Sequence, residues 1–564
     1  MRDVNGAAQA WAMAPTLAVR EAADTMFDPT LFERGSDFRG EYPRQINEEL
    51  AWLVGRYLVQ FLWGKGHPRA RVLVGRDGRC SSPALYAALV QGIAAEGGAP
   101  IPAGLATSDM ILWGTGEGLE GAVAGVMVTA SHNPPRDNGI KIILRGKGTV
   151  ETVSPKSDLR EIYQADCQGE ASVAADAGSV APFPLSARLD LAGKFVRHAC
   201  ERAPDRFDFD QTVVLDPGNG VGSLFVDPLK QCLTRPGEKK PKAKLELIFA
   251  DIDGTFPNRP SNPGLPGAVK ALENEVREKG AAFGAAFDGD ADRVFLVDEL
   301  GDFVPGDRLL AALARIILSG ASAGKRRDPP VVFVTTCSWL LVDILRQAGA
   351  DPVLCKVGQG SVKKAMQLTR AVFGGEASAH FNFPDSYYQD SGLIALMTFW
   401  QALHTRKTTV SQVIGELEAD RWAQSGEINI KIHSDDWSDI SKKTIEKLQG
   451  VYAAKPCYVL DIDGINVYFP YEEKIKTVDK LFPQRPDNPS GEPFRAIHKT
   501  YRPQWWFSLR RSNNEPLLRL NVESRDTGEM ERQTRELLEE VTSTCEGIRK
   551  CETEVVDWGN LDWG

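Results

Sequence analysis

The chain has 564 residues, 42% of them apolar, 25% charged and 8% aromatic, the balance of an ordinary globular protein. At roughly 150 residues per domain that length exceeds one core and implies three or four. A formal net charge of −10 argues against a nucleic acid or an anionic membrane as the main partner, and requires any small anion to be met by locally clustered cations.

The first residues, MRDVNGAAQAWAMAP, lack a signal-peptide core, and no apolar run approaches the ~20 residues that cross a bilayer. Nine cysteines are scattered without a CxxC pair. A disulfide framework or zinc site is therefore not expected, and a reducing, cytoplasmic setting is.

Along the chain, a β-rich run, a glycine-rich turn and an amphipathic helix recur three times: at Ala70–Gly98, Gln211–Leu233 and Pro330–Gly349. Pro228 should kink or shorten the helix of the second. Such units predict α/β layers with largely parallel sheets, whose strand C-terminal ends carry ligands. The last stretch differs. EINIKIH and GINVYF alternate as strands, Phe482–Arg495 reads as a polar Pro/Gly-rich insertion, and Leu537, Leu538, Val541, Cys545 and Ile548 share one helical face. This predicts a smaller α+β domain ending in a tail, VVDWGNLDWG. Boundaries fall near residues 190, 302 and 422.

Four loops carry chemistry. In VTASHNPPRDNGIKII the proline pair fixes φ, so Ser131 should project from the end of strand Gly125–Val128. Adjacent residues do not face each other in a regular element, which disfavours Ser131 and His132 as a nucleophile–base pair and with it a hydrolase triad. Lys141 begins KIIL, a returning strand that would bring its ammonium beside the serine. In AAFDGDADRVFLVD the alternating Asp288, Asp290 and Asp292 can converge on a hard cation, Mg²⁺ or Ca²⁺. An EF-hand is disfavoured, because Arg293 stands where that loop needs glycine and the flanks read as strands. Arg293, directly after the carboxylates, suggests that an anion also enters.

In FGGEASAHFNFPDSYYQDSG, alternation points Glu376, Ser378 and His380 one way, a set suited to sugar hydroxyls; a plain polar β-hairpin reads equally well. In WFSLRRSNNEPLLRLNVES, Arg510, Ser512, Asn513 and Asn514 surround a turn with phosphate-cradling donors, while Arg511 and Arg519 read equally as solvated strand positions. A presented serine, a carboxylate metal site, a sugar-binding set and a phosphate clamp are the parts of phosphoryl transfer to a phosphosugar.

These residues closely resemble the α-D-phosphohexomutases. TASHNP is similar to that family's phosphoserine loop, DGDADR to its metal loop, GEASAH to its sugar loop and RRSNNEP to its phosphate loop, in the family's order. LFERGSDFRG resembles a diverged N-terminal motif containing Arg39, and GRDGRCSS and DPGNGVGS resemble its strand-end turns. The resemblance implies three similar α/β domains with mixed or parallel sheets (1–190, 191–302, 303–422) and a C-terminal α+β domain (423–564) around a central cleft. It implies a resting phosphoserine at Ser131, and one Mg²⁺ held by Asp288, Asp290, Asp292 and a phosphoserine oxygen. Transfer would pass through a hexose 1,6-bisphosphate, with Lys141, Arg39 and His380 as candidate bases and Arg293 offsetting charge.

The sugar-loop form favours mannose and glucose phosphates over glucosamine or acetylglucosamine phosphates. Thr336 and Gln359 depart from residues common elsewhere in the family, which bears on sugar choice. A phosphosugar partner, monomeric or dimeric assembly, and no nucleic acid or membrane complete the expectation. A catalytically silent sugar-phosphate-binding protein of the same fold is the rival from another class.

Overall fold

The computed structural model describes residues 27–169, 183–185, 189–201, 211–234, 243–320, 327–417, 422–488, 491–512, 515–557 and 559. They form two compact units: Met1–Pro305 with Asp385–Ser411, and Gly306–Pro384 with Gln412–Gly564. No helix among the described residues is long and apolar enough to cross a membrane.

The first unit contains two α/β layers. In the first, the sheet runs Phe38–Glu41, Asp137–Arg145, Ala124–Val128, Arg71–Arg76, Ala99–Leu105. Arg71–Arg76 is parallel to both Ala124–Val128 and Ala99–Leu105, and Asp137–Arg145 returns antiparallel. Helix Glu48–Gly64 begins where Asn47 accepts the Leu50 N–H at 3.1 Å, with Glu48 and Glu49 facing the positive end of its dipole. Its apolar face, Leu50, Val54, Leu58 and Leu62, is buried with Leu85, Leu89 and Ile93 of helix Ser82–Ala95. Each such side chain contributes about 1.5–3 kcal/mol on leaving water.

The second sheet runs Phe303–Val304, Val294–Val297, Phe283–Phe287, Thr212–Asp216, Lys244–Leu247. Phe283–Phe287 and Val294–Val297 pair antiparallel with Phe287 opposite Val294, so Asp288–Arg293 is a hairpin connection. Pro228 is the third residue of helix Val226–Leu233, in the first turn where no intrahelical N–H is needed, and the helix is short, eight residues, after the 3-10 segment Val221–Phe225.

The second unit contains a third α/β sheet, Phe381–Phe383, Phe373–Gly375, Pro330–Val334, Asp351–Cys355, Phe494–Ala496. It also contains an antiparallel sheet, Tyr458–Leu460, Ile465–Phe469, Trp505–Arg511, Leu517–Ser524, Ile428–His433, Glu552–Asp557. Helices Trp437–Ala453 and Thr527–Ile548 pack on the latter through Ile440, Leu448, Leu537 and Val541.

Two segments differ from expectation. The first residues of the expected tail, Val555–Asp557, instead complete an edge strand, Glu552–Asp557, paired with Ile428–His433; its exposed alternation hides it from a burial pattern. Phe494–Ala496, at the end of the expected insertion, adds an edge strand to the third α/β sheet. Helix Gly392–Arg406 belongs to the first compact unit, where Trp400 meets Phe283 edge-on at 5.7 Å.

Candidate active site

Strand Ala124–Val128 is wholly buried, and the chain leaves its end through Thr129 and Ala130 to Ser131. Ser131 has φ 53°, the left-handed region that residues with side chains seldom enter, and is 3% exposed. Such a backbone persists only when its surroundings hold it. The buried Arg79 does so. Its Nη2 donates to the Ser131 and Asn133 carbonyls, both at 2.7 Å, and its Nη1 to those of Pro134 at 2.6 Å and Asp137 at 3.0 Å. Its Nε pairs with Asp77 at 3.1 Å. Thr129 Oγ1 accepts the Ser131 N–H at 2.8 Å, and the Ser261 hydroxyl donates to the His132 and Asn133 carbonyls at 2.8 and 2.9 Å.

The Ser131 hydroxyl is thereby set 3.2 Å from Asp288 Oδ2 and 3.3 Å from His132 Nδ1. The neighbouring serine and histidine do meet, against expectation, because a left-handed serine belongs to no regular element.

The hairpin loop Asp288–Arg293 approaches this serine backbone to backbone. A Cβ on Gly289 would lie 2.6 Å from the Ser131 carbonyl oxygen, so no other residue fits there. Asp288, Asp290 and Asp292 are buried and each offers one oxygen within 4.8 Å of the others. Asp290 Oδ1 is buried and accepts no hydrogen bond among the described residues. Converging carboxylate oxygens with an unsatisfied acceptor fit a hard divalent cation.

Three cations oppose them. Lys141, facing Met127 across the strand pair, places Nζ 2.8 Å from Asp290 Oδ2, 2.9 Å from Asp292 Oδ2 and 3.2 Å from Ser108 Oγ. Arg293 Nε donates to Asp288 Oδ2 at 2.9 Å, so its first contact is a carboxylate of its own loop. Arg39 donates to Asp37 at 2.6 Å and to Asn133 Oδ1 at 3.1 Å, within the electrostatic reach of Asp290 and Asp292. Ser108 donates its hydroxyl to Asp290 Oδ2 at 2.5 Å and its N–H to the Asp290 carbonyl at 3.0 Å.

Burial opposes ionising Asp290, yet Lys141, Ser108 and Arg39 hold it below the usual carboxylate range. Asp292 goes the other way: burial, then the charge of Asp290, push it up to about 7 against the pull of Lys141. Burial would lower Lys141, but Asp290 and Asp292 outweigh it and hold the ammonium above its ordinary value. In the metal-free protein the Lys141 ammonium is thus held charged.

The remaining expected residues belong to the second unit. Glu376–His380 is the tight turn between strands Phe373–Gly375 and Phe381–Phe383, closed by the Glu376 N–H donating to the His380 carbonyl at 2.9 Å. Strand alternation does not apply in such a turn; Glu376 is buried, His380 half-buried and Ser378 exposed. Glu376 accepts from Gln359 Nε2 at 2.9 Å and from Ser378 Oγ at 3.4 Å.

Arg510, next to last in strand Trp505–Arg511, stands opposite Arg519, and Glu427 bridges the two guanidinium groups at 3.0 and 2.8 Å. Arg519 is thus paired, while Arg511 is exposed. Ser512 is buried, its N–H donating to Leu517 O at 2.9 Å. Asn513 and Asn514 lie outside the described residues.

Sequence reasoning missed Arg79, Ser108 and Arg259. Arg259 repeats the Arg79 device in the second layer: Nε pairs with Asp216 at 2.7 Å and Nη2 donates to Phe287 O at 2.6 Å, just before the carboxylate loop. The available signal was an aspartate at the end of each strand, Asp77 and Asp216, in turns otherwise read for their glycines.

A buried carboxylate triad beside a presented serine, on repeated α/β layers, has the donors to hold a metal ion next to a nucleophilic oxygen. Family models for phosphoglucomutase/phosphomannomutase α/β/α domains I, II and III match residues 31–166, 193–301 and 305–420, and the chain belongs to that family. It is accordingly a mutase, an isomerase by class. A "Phosphohexose mutases" protein of Xanthomonas campestris pv. campestris is 32% identical over 89% of this chain and 97% of its own length. A phosphomannomutase of Escherichia coli K12 is 31% identical over the same shares. A phosphoglucomutase/phosphomannomutase family protein of Burkholderia thailandensis shares the fold with TM-score 0.73 at 23% identity, over 93% of this chain and 99% of its own.

Proposed function

We propose that the protein moves a phosphoryl group between the 1- and 6-positions of a hexose phosphate, mannose and/or glucose, with Ser131 as carrier and a hexose 1,6-bisphosphate as intermediate. One observation carries the reading: the Ser131 hydroxyl lies 3.2 Å from Asp288, inside a buried carboxylate set balanced by fixed cations. Mg²⁺ suits that donor set; held by Asp288, Asp290, Asp292 and a phosphoserine oxygen, it would offset charge on the transferring group.

In the transfer, the bond from Ser131 Oγ to phosphorus breaks as a sugar hydroxyl oxygen bonds to phosphorus and gives up its proton. The other phosphate of the bisphosphate then returns to Ser131 by the reverse step. Arg79 holds the serine loop still, so little geometry has to be won in each transfer. Lys141, Arg293 and Arg39 oppose developing negative charge. His380 is assigned the proton, since an imidazole titrates near neutral pH while Lys141 is held charged. Glu376 and Ser378 take sugar hydroxyls; Arg510, Ser512, Asn513 and Asn514 hold the phosphate that is not reacting.

The experiment is a product assay with the 1- and 6-phosphates of mannose, glucose, glucosamine and N-acetylglucosamine, run with Mg²⁺ and catalytic bisphosphate, beside intact-mass analysis. Interconversion of mannose or glucose phosphates, and one added phosphoryl mass that Ser131→Ala abolishes, is the expected result. Turnover of the amino sugars alone would reassign the substrate. No turnover with an unmodified serine would overturn the reading.

A further inference from the structure

Ser108 touches the carboxylate loop twice, and the proposed chemistry gives it no part. It is the first residue of helix Ser108–Glu117, after Thr107, whose hydroxyl caps the helix by accepting the Met110 N–H at 3.3 Å. The first N–H groups of a helix have no partner within it. That of Ser108 finds one in the Asp290 carbonyl at 3.0 Å, which ties the helix start to the main chain of the loop.

The side chain makes the second tie. An ammonium only donates and a carboxylate only accepts. Lys141 Nζ, 3.2 Å from Ser108 Oγ, must therefore donate to it, which leaves the single hydroxyl proton of the serine for Asp290 Oδ2 at 2.5 Å. Lys141 donates to the same Oδ2 at 2.8 Å. Ser108 is fully buried, out of reach of bulk water. Asp290 Oδ2 thus accepts from two donors, while Oδ1 of the same carboxylate is buried and accepts from none among the described residues.

This division decides how the carboxylate can bind an ion. Ca²⁺ takes roughly six to eight oxygens and accepts both from one carboxylate, whereas Mg²⁺ demands a tight octahedron. The two oxygens of one carboxylate stand too close together to fill adjacent corners of that octahedron. An Asp290 whose Oδ2 is engaged twice offers Oδ1 alone, which suits Mg²⁺ and denies Ca²⁺ a second oxygen.

We propose that Ser108 is a positioning residue that confines Asp290 to binding through one oxygen, and so makes the loop select Mg²⁺ over Ca²⁺. This rests on the metal set of the proposed function and adds the residue that sets its ion preference. The N–H of Ser108 holds the main chain of Asp290, and its hydroxyl holds the side chain.

The test is calorimetric titration of the whole protein with Mg²⁺ alone and with Ca²⁺ alone, the phosphate content of Ser131 being matched by intact mass. Wild type is compared with Ser108→Ala, with Ser108→Cys and with Thr115→Ala. Thr115 lies in the same helix, where its buried hydroxyl donates to Ile111 O at 2.7 Å, so its loss is the control for a hydrogen bond away from the loop. Wild type is expected to prefer Mg²⁺. Ser108→Ala is expected to bind Mg²⁺ about tenfold more weakly, the scale of losing a partner of a metal ligand, with Ca²⁺ affinity unchanged or higher. Ser108→Cys, with its weaker donor, is expected to fall between the two, and Thr115→Ala to keep the wild-type ratio. A wild type that prefers Ca²⁺, an unchanged ratio in Ser108→Ala, or the same change of ratio in Thr115→Ala would overturn the proposal.

The titration needs no turnover. Ion binding with the expected pattern but no interconversion of hexose phosphates would overturn the proposed function and uphold the role of Ser108. Turnover with an unaltered ion ratio in Ser108→Ala would do the reverse, and a wild type that binds neither ion would overturn both.

Discussion

Asp292 and Asp290 stand two residues apart in one loop and are driven in opposite directions. The folded Asp292 carboxyl, raised to about 7, keeps its proton where an unfolded aspartate has lost it. Its contribution to the stability of the metal-free protein is full below the ordinary aspartate value and is lost as pH rises through about 7. A cation must displace that proton. The expected outcome is a larger rise in Tm on adding Mg²⁺ at pH 8 than at pH 6, with apparent affinity about tenfold weaker at the lower pH; equal shifts would contradict the linkage.

Asp290→Asn should lower kcat by roughly 10²-fold or more, the scale of losing one preorganised group that stabilises developing charge. Normal turnover would remove it from the metal set. Arg510→Ala should raise KM by about 10- to 100-fold with a smaller effect on kcat, a charged hydrogen bond being worth about 1.5–3 kcal/mol. At this scale the chain was legible wherever acids, serine and lysine cluster in short motifs. It was silent on Ser108 and Arg79, whose roles arise from contacts such as Arg79 to Pro134, 55 positions away.

Among elements, the repeated strand–turn–helix units and the final helix stood out by period and caps. Phe494–Ala496 did not, because a three-residue strand among prolines and glycines carries no period, and its partner lies about 140 residues earlier, Ala496 facing Val353. The segment is nonetheless packed: Phe494 and Tyr501 are buried, Arg485 pairs with Asp351, and Arg346 donates to the Tyr501 and His498 carbonyls at 2.8 and 2.6 Å. Phe494→Ala should cost about 3–5 kcal/mol locally. Hydrogen exchange should therefore quicken across Asp351–Cys355 and not in strand Ala124–Val128; equal protection in the variant would mean the strand is dispensable.

For the whole molecule, the division into three α/β layers and an α+β domain followed from counting units, whereas the packing partner of Gly392–Arg406 did not. That helix is buried on nearly all sides from Gly392 to Leu403, so its sequence marks burial without naming a partner. Its place is set by Trp400 against Phe283 and by Ser391, which donates to the buried Asp109 at 2.7 Å. A fragment of residues 1–305 lacks it and should expose the Phe283 face, binding a hydrophobic dye that a peptide of residues 385–411 displaces. Failure of that peptide to reduce dye binding would show that the layer closes without it.

The same late helix sets an order of events during translation. Residues 306–384 must leave the ribosome before Gly392–Arg406 exists, and at ~5–20 residues per second that delay lasts several seconds. Throughout it the nascent first half carries an uncovered aromatic surface, a natural landing place for chaperones.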